Sequence, residues 1–273
     1  MQDTGLKRNT IDKYYTKSSI VNQCVETIRK NIIISKEDLI IEPSAGNGSF
    51  LSKIKSLTNN YKFYDLEPEN TEIEKQDFLE FNYNIIKKQY KKIHIIGNPP
   101  FGRQASLAIK FIKKCCEFST SISFILPKSF KKDSMKKHFN EYFHLIKEVD
   151  LTNNAFLVND VDCDVPCVFQ IWERKSTPRE IVQKIEPINF KFVDQDSEPD
   201  ISFRRVGVYA GSVSKEINNK SAQSHYFIKF TNGKTIDENI KKLNSINFEF
   251  NNTVGPKSIS KPELIKEFNK YLI

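Results

Sequence analysis

Residues 39–51 read Leu-Ile-Ile-Glu-Pro-Ser-Ala-Gly-Asn-Gly-Ser-Phe-Leu. Leu39 to Ile41 form an apolar run of strand length, Pro43 to Gly48 a loop, and Ser49 onward the opening of a helix. Gly46 and Gly48 can take positive φ and let a ligand approach the backbone, while the helix start offers free N–H groups. This is the pattern of a nucleotide-cofactor loop with one departure. Glu42 stands where a phosphate binder avoids negative charge, so a cofactor with a cationic centre is the better match.

Working outward, the next apolar run is Ile93, His94, Ile95, Ile96, followed by Gly97, Asn98, Pro99, Pro100, Phe101. The two prolines fix φ near −65° and remove two backbone donors, and Pro99 pushes Asn98 out of the α region. The chain therefore leaves a strand end along one stiff, extended path. The Asn98 side chain and the Pro99 carbonyl can then offer two acceptors to a single NH2 group, with Phe101 as a flat face for a planar ring. That arrangement suits the exocyclic amine of a base taken out of its stack.

In this order the two motifs resemble those of the S-adenosylmethionine-dependent amino-methyltransferases, in particular the adenine-N6 DNA methyltransferases with the gamma-type motif order. The segment Lys13, Tyr14, Tyr15, Thr16, Lys17 is similar to the one that, in that family, folds over the methionine end of the cofactor. The resemblance implies S-adenosylmethionine as cofactor, held by Tyr15, Thr16, Glu42, Pro43, Ala45, Gly46 and Gly48. It also implies a catalytic motif of Asn98, Pro99, Pro100 and Phe101, with Asn98 close to both cofactor and substrate. After the aromatic strand Tyr61 to Tyr64, Asp65 and Leu66 fall where the cofactor's ribose would be held. A carboxylate at a strand end can accept both ribose hydroxyls, Asp65 first and Glu67 second. Asp77 and Phe78 look like the residues beside the cofactor's adenine, although Asp77 reads equally as a helix N-cap. Phe156 resembles the family's aromatic that stacks on the flipped base, and reads equally as a hairpin-core residue.

The remaining pattern alternates strand and helix, which predicts an α/β fold: a Rossmann-like methyltransferase sheet with helices on both faces. Ser106 to Phe118 has helical spacing of apolar residues, and Ile122 to Leu126 is a strand ending at Pro127. Lys128 to Phe139 is a basic loop and helix at that strand's carboxyl edge, where Lys128 and its neighbours face a substrate backbone or only solvent. Lys147 to Leu151 and Val165 to Trp172 form a hairpin. Asp160, Asp162 and Asp164 alternate like a calcium loop but lack its Gly and distal Glu, and read as a polar turn. No metal is expected. The five cysteines, Cys24, Cys115, Cys116, Cys163 and Cys167, make no disulfide framework and are expected as free thiols.

The polar, Pro-interrupted stretch from Glu173 to Glu186 marks a boundary, giving a catalytic domain over 1–178 and a smaller β-rich domain over 179–273. In the second, Ile201 to Ala210 and His225 to Phe230 read as strands, and Pro262 to Leu272 as a closing helix. Arg204 and Arg205 there, with Tyr209, Lys215 and Tyr226, combine charge and aromatics, and the resemblance implies a target-recognition domain at this position after the catalytic one. The alternative for this domain is a basic cap that stabilises the first.

The chain has 42 Lys and Arg against 34 Asp and Glu, a net charge of +8, which favours a polyanionic partner. No apolar run approaches the ~20 residues of a membrane span, and Met1 to Arg8 has no apolar core for a signal peptide. Together with the resemblance, these features predict an intracellular, monomer-like methyltransferase acting on the N6 amine of adenine in nucleic acid, DNA ahead of RNA. The competing readings are an RNA adenine methyltransferase, including one for an mRNA cap, a protein-glutamine methyltransferase, and an inactive nucleic-acid-binding subunit.

Overall fold

The computed structural model describes residues 14–158, 161–180, 185–248 and 257–272. Lys13, Asp160 and the segment Met1 to Arg8, named above, lie outside them. The chain divides into two compact units, Met1–Ile181 and Val182–Ile273.

The first unit runs β1 (Tyr15–Thr16), α1 (Ser18–Asn31), β2 (Leu39–Glu42), α2 (Leu51–Leu57), β3 (Asn60–Asp65), β4 (Glu74–Lys75), α3 (Asn84–Gln89), β5 (Ile93–Gly97) and α4 (Ser106–Phe118). It continues with β6 (Ser121–Pro127), α5 (Asp133–Lys136), β7 (Phe143–Asp150), β8 (Phe156–Val158), β9 (Val161–Cys163) and β10 (Cys167–Arg174). Seven strands form one sheet in the order β4-β3-β2-β5-β6-β10-β7. β2 pairs in parallel with β3 and β5, and β5 with β6. β10 alone runs antiparallel to its neighbours, β6 and β7. The expected Rossmann-like methyltransferase sheet is present.

Alternation along the central strands explains why both faces are covered. Leu39 and Ile41 of β2, with Ile93 and Ile95 of β5, enter one core with the α4 face of Ala108, Phe111, Ile112 and Cys115. Ile40 and Ile96 enter the other, with Ile20, Val21, Val25 and Ile28 of α1 and Ile54 of α2. Strands buried on both sides read as continuous apolar runs, which is why β2 and β5 are visible in the sequence. At the amino ends of β5 and β6, the buried His94 ring meets Ser121 Oγ at 2.7 Å and Asp38 Oδ2 at 3.3 Å, which satisfies a polar ring inside the sheet. Arg179 donates to the carbonyls of Asn140 and Phe143 and lies over the Trp172 ring. It therefore belongs to the fold of the first unit rather than to a free linker.

A separate three-stranded ribbon, β1-β8-β9, joins the start of the described chain to the segment before β10. Thr16 pairs with Phe156 and Tyr15 with Leu157. Lys17 N donates to Ala155 O at 3.1 Å, and Lys17 Nζ meets Asp162 at 2.6 Å.

The second unit has an antiparallel sheet, β11-β14-β12-β13, built from β11 (Phe190–Val193), β12 (Ile201–Arg204), β13 (Val213–Ser214) and β14 (His225–Phe230). Its core of Phe190, Phe203, Ile228 and Phe268 is shared with α6 (Ile236–Leu243) and α7 (Lys261–Tyr271). Capping boxes start both helices, Thr235 with Glu238 and Ser260 with Glu263. Two expectations fail here. Val206 bridges to Ser258 and residues 207–210 form a turn, with Ala210 N donating to Gly207 O, and not a continuation of β12. A second helix, α6, stands where none was read, its apolar face too short to register.

Among the described residues all five cysteines are free, no helix is long and apolar enough to cross a membrane, and no group of His, Cys, Asp and Glu is gathered for a metal.

Candidate active site

Chain order reverses between β2 and β5: from β2 the sheet grows outward through β3 and β4, and from β5 the other way through β6. Ligands of open α/β sheets sit beyond the carboxyl ends of strands at such a switch point. Here those ends deliver Glu42 and Asn98 side by side, and a cavity of about 640 Å³ opens over them, within the range of small-molecule sites. Tyr15, Thr16, Glu42, Pro43, Ala45, Gly46, Asp65, Leu66, Asp77, Phe78, Asn98, Pro99, Pro100 and Phe101 all line it. Gly97 permits the close approach of the two strand ends, since a Cβ there would lie 3.2 Å from Glu42 Cγ.

The Asn98 amide is held from behind. Its Nδ2 donates to the Tyr14 carbonyl at 3.3 Å and to Thr16 Oγ1 at 3.4 Å, and Ser44 Oγ donates to the Asn98 carbonyl at 3.1 Å. Its Oδ1 is buried and, among the described residues, has no hydrogen-bond partner. An unpaired buried acceptor costs roughly 1–3 kcal/mol, so the site keeps an oxygen ready for a donor that a ligand brings. Both groups that orient it come from β1 and its lead-in, which the ribbon to β8 keeps in place.

Glu42 shows the same signature. The residue is 2% exposed, and Oε2 has no partner among the described residues. Burial, and after it the charge of Asp65, holds this carboxyl well above the ordinary carboxylate range. A cation placed beside it would restore the charged form. Asp65 ties two loops together, accepting from Gly46 N at 2.8 Å through Oδ2 and from Glu67 N at 2.9 Å through Oδ1. A carboxylate has about four acceptor positions, so room for hydroxyl donors remains. Asp77 is the N-cap of a 3-10 turn, Phe78–Glu80, accepting from Leu79 N at 2.9 Å. It lines the cavity as well, so the two readings of this residue coexist.

Several amides of the loop and of the helix start after it are engaged within the turn. Gly46 N is taken by Asp65, Gly48 N by Ala45 O, and Leu51 N by Gly48 O. Gly48 shapes the turn and does not reach the cavity. Phe156 is not brought to the site either: it is 0% exposed, packed in the core beneath the ribbon, with its ring edge-on to Tyr14 at 6.1 Å. A ring closed on all sides cannot stack on a base, so its reading as hairpin core is the one the structure supports. Lys128 follows β6 outside the cavity lining, and two of its neighbours are neutralised, Lys131 by Asp150 and Lys136 by Glu148. Arg204 and Arg205 belong to the second unit. Arg204 Nε donates to Val206 O at 2.9 Å, and the Arg205 guanidinium lies 5.1 Å from the Tyr226 ring centroid.

The lining residues that sequence reasoning did not assign to the site include Glu69, Arg103 and Phe111. Tyr15 Oη donates to Glu69 Oε1 at 2.6 Å, a bridge between segments far apart in sequence that no local signal announces. Phe111 stacks on Phe78 at 5.6 Å, and its place on the buried face of α4 was legible while its reach to the cavity was not. Arg103 lies two residues beyond Phe101, so its proximity to the motif was the available signal.

These features fit S-adenosylmethionine: an unpaired buried carboxyl for its cationic end, a strand-end carboxylate for the ribose, and Phe78 with Leu79 beside a planar ring. When bound, that molecule supplies an electrophilic methyl group on a sulfonium.

The EDM2 methyltransferase-like domain model matches residues 34–180. Protein ENHANCED DOWNY MILDEW 2 of Arabidopsis thaliana is 27% identical over 190 residues, which is 62% of this chain and 14% of that protein. Among solved structures, the 23S rRNA methyltransferase ErmE has a TM-score of 0.44 at 12% identity, covering 61% of this chain and 71% of that one. A dimethyladenosine transferase from Plasmodium falciparum has a TM-score of 0.41 at 12% identity, covering 60% and 64%. The family match spans more than half of the chain and takes in every lining residue of the cavity except Tyr14, Tyr15 and Thr16, so the chain belongs to the EDM2 methyltransferase-like domain family.

Proposed function

We propose that this chain transfers the methyl group of S-adenosylmethionine to the exocyclic N6 amine of adenine in DNA. The observation that carries the reading is the Asn98 amide of the cavity lining, with its nitrogen tied to Tyr14 and Thr16 and its oxygen buried and, among the described residues, unpartnered.

Asn98 Oδ1 and the Pro99 carbonyl accept the two protons of the target amine, while Phe101 stacks on the base. Both acceptors draw the nitrogen lone pair out of conjugation with the ring and aim it at the methyl carbon. The N–C bond forms as the S–C bond breaks, and the amine's surplus proton leaves to water afterwards, so no strong base is required. Positioning and fixed dipoles supply most of the barrier reduction. Asp65 holds the ribose, Asp77 and Phe78 the adenine of the cofactor, and Glu42 balances its positive charge. The net basic charge of the chain supports a polyanionic substrate.

Asn98→Ala tests the assignment. It removes the oriented acceptor and leaves the glycine loop intact, so cofactor affinity measured by calorimetry should stay within a few-fold. Transfer should fall by about 100-fold or more, as for loss of one preorganised polar group elsewhere. Turnover within a few-fold of wild type would remove Asn98 from this role.

A further inference from the structure

The charges around the cavity are unevenly distributed. Among the described residues that line it, five are carboxylic acids, Glu42, Asp65, Glu67, Glu69 and Asp77, and a single one is basic, Arg103. Among the described residues Arg103 forms no ion pair or side-chain hydrogen bond and is exposed, unlike Lys131, Lys136 and Lys17, which are each paired with a carboxylate.

The backbone that presents it is fixed in an uncommon conformation. Gly102, Gln104 and Ala105 have φ of 67°, 53° and 61°, two of them in a region that residues with a Cβ seldom adopt. A Cβ at Gly102 would lie 2.8 Å from Leu107 Cγ. The turn is closed by Leu107 N donating to Phe101 O at 3.1 Å. Left-handed residues of this kind cost of order 1–3 kcal/mol each and cluster where a site must present a group in a set direction.

We infer that Arg103 binds a phosphodiester next to the target base, making it a substrate-binding residue of the site. This rests on the nucleic-acid reading above. Two residues of chain span about 7 Å, so a guanidinium two positions beyond the stacking ring of Phe101 can reach the backbone of the nucleotide whose base lies there. Guanidinium and phosphate make strong, charge-assisted, often bidentate bonds. The carboxylate of the cofactor is a poorer partner. Arg103 lies in the turn that Leu107 N closes on Phe101 O, next to the ring proposed to hold the base, whereas the methionine end is assigned to Tyr15, Thr16 and Gly46, where a Gly46 Cβ would lie 3.6 Å from the Tyr15 ring.

The test compares wild type with Arg103→Gln on an oligonucleotide that wild type methylates, made once with normal phosphates and once with neutral methylphosphonates flanking the target adenine. Because Arg103 is exposed and unpaired, the variant should keep its melting temperature and its cofactor affinity. Its KM for the normal oligonucleotide should rise about tenfold or more, with the salt slope of binding reduced by about one. Methylphosphonates should impair wild type by a similar factor and Arg103→Gln hardly at all. An unchanged KM, an equal methylphosphonate penalty in both proteins, or a selective loss of cofactor affinity overturns the inference while leaving the nucleic-acid reading intact. Failure of wild type to methylate any DNA or RNA overturns that reading, and this inference with it.

Discussion

Burial holds the Glu42 carboxyl above the ordinary carboxylate range, with the charge of Asp65 adding to the effect. The folded chain therefore keeps a proton that the unfolded chain releases at lower pH. The stability this group contributes is present at low pH and is lost as pH rises from the ordinary carboxylate range through the raised value. Glu42→Gln removes that loss, so its gain in melting temperature over wild type should be larger at pH 8 than at pH 5. The same substitution removes the charge facing the cationic end of the cofactor and should weaken its binding by roughly 1–3 kcal/mol. Calorimetry and thermal melts read both effects, and an unchanged affinity together with a pH-independent melting shift would take Glu42 out of the cofactor site. At this scale the sequence shows which residue types the site uses and hides how they point. Asn-Pro-Pro-Phe is visible as a motif, whereas the bonds that orient the Asn98 amide come from residues 84 and 82 positions earlier, beyond any local pattern.

Elements with strong periodicity were legible. The Ser106–Phe118 helix and the strand ending at Pro127 appear where the apolar spacing puts them, because both are buried against the sheet and their residues report it. The ribbon was not legible, since β1 and β8 are only two and three residues long and their pairing joins distant parts of the chain. Phe156 shows the consequence, since an aromatic residue in an irregular stretch looks the same in sequence whether it faces a base or a core. Fully buried here, Phe156→Ala should cost about 3–5 kcal/mol of stability through the lost contact area and the cavity left behind. Urea unfolding measures it. Stability close to wild type with a raised KM for nucleic acid would return Phe156 to a substrate role.

For the whole molecule, the family match ends at residue 180, at the division between the two compact units. The chemistry proposed above sits wholly in the first unit. We propose target recognition by the second, through Arg204 and Arg205, on the basic balance of the chain. The central claim concerns the atom that receives the methyl group, and isotope tracing reads it most directly. DNA and RNA are incubated separately with the protein and methyl-labelled S-adenosylmethionine, digested to nucleosides and analysed by mass spectrometry. The account predicts label in N6-methyl-2′-deoxyadenosine from DNA, with none when Asn98 is replaced by Ala. Label in N6-methyladenosine from RNA alone would move the substrate to RNA, and label on a ring nitrogen or another base, or in no nucleoside at all, would contradict the account.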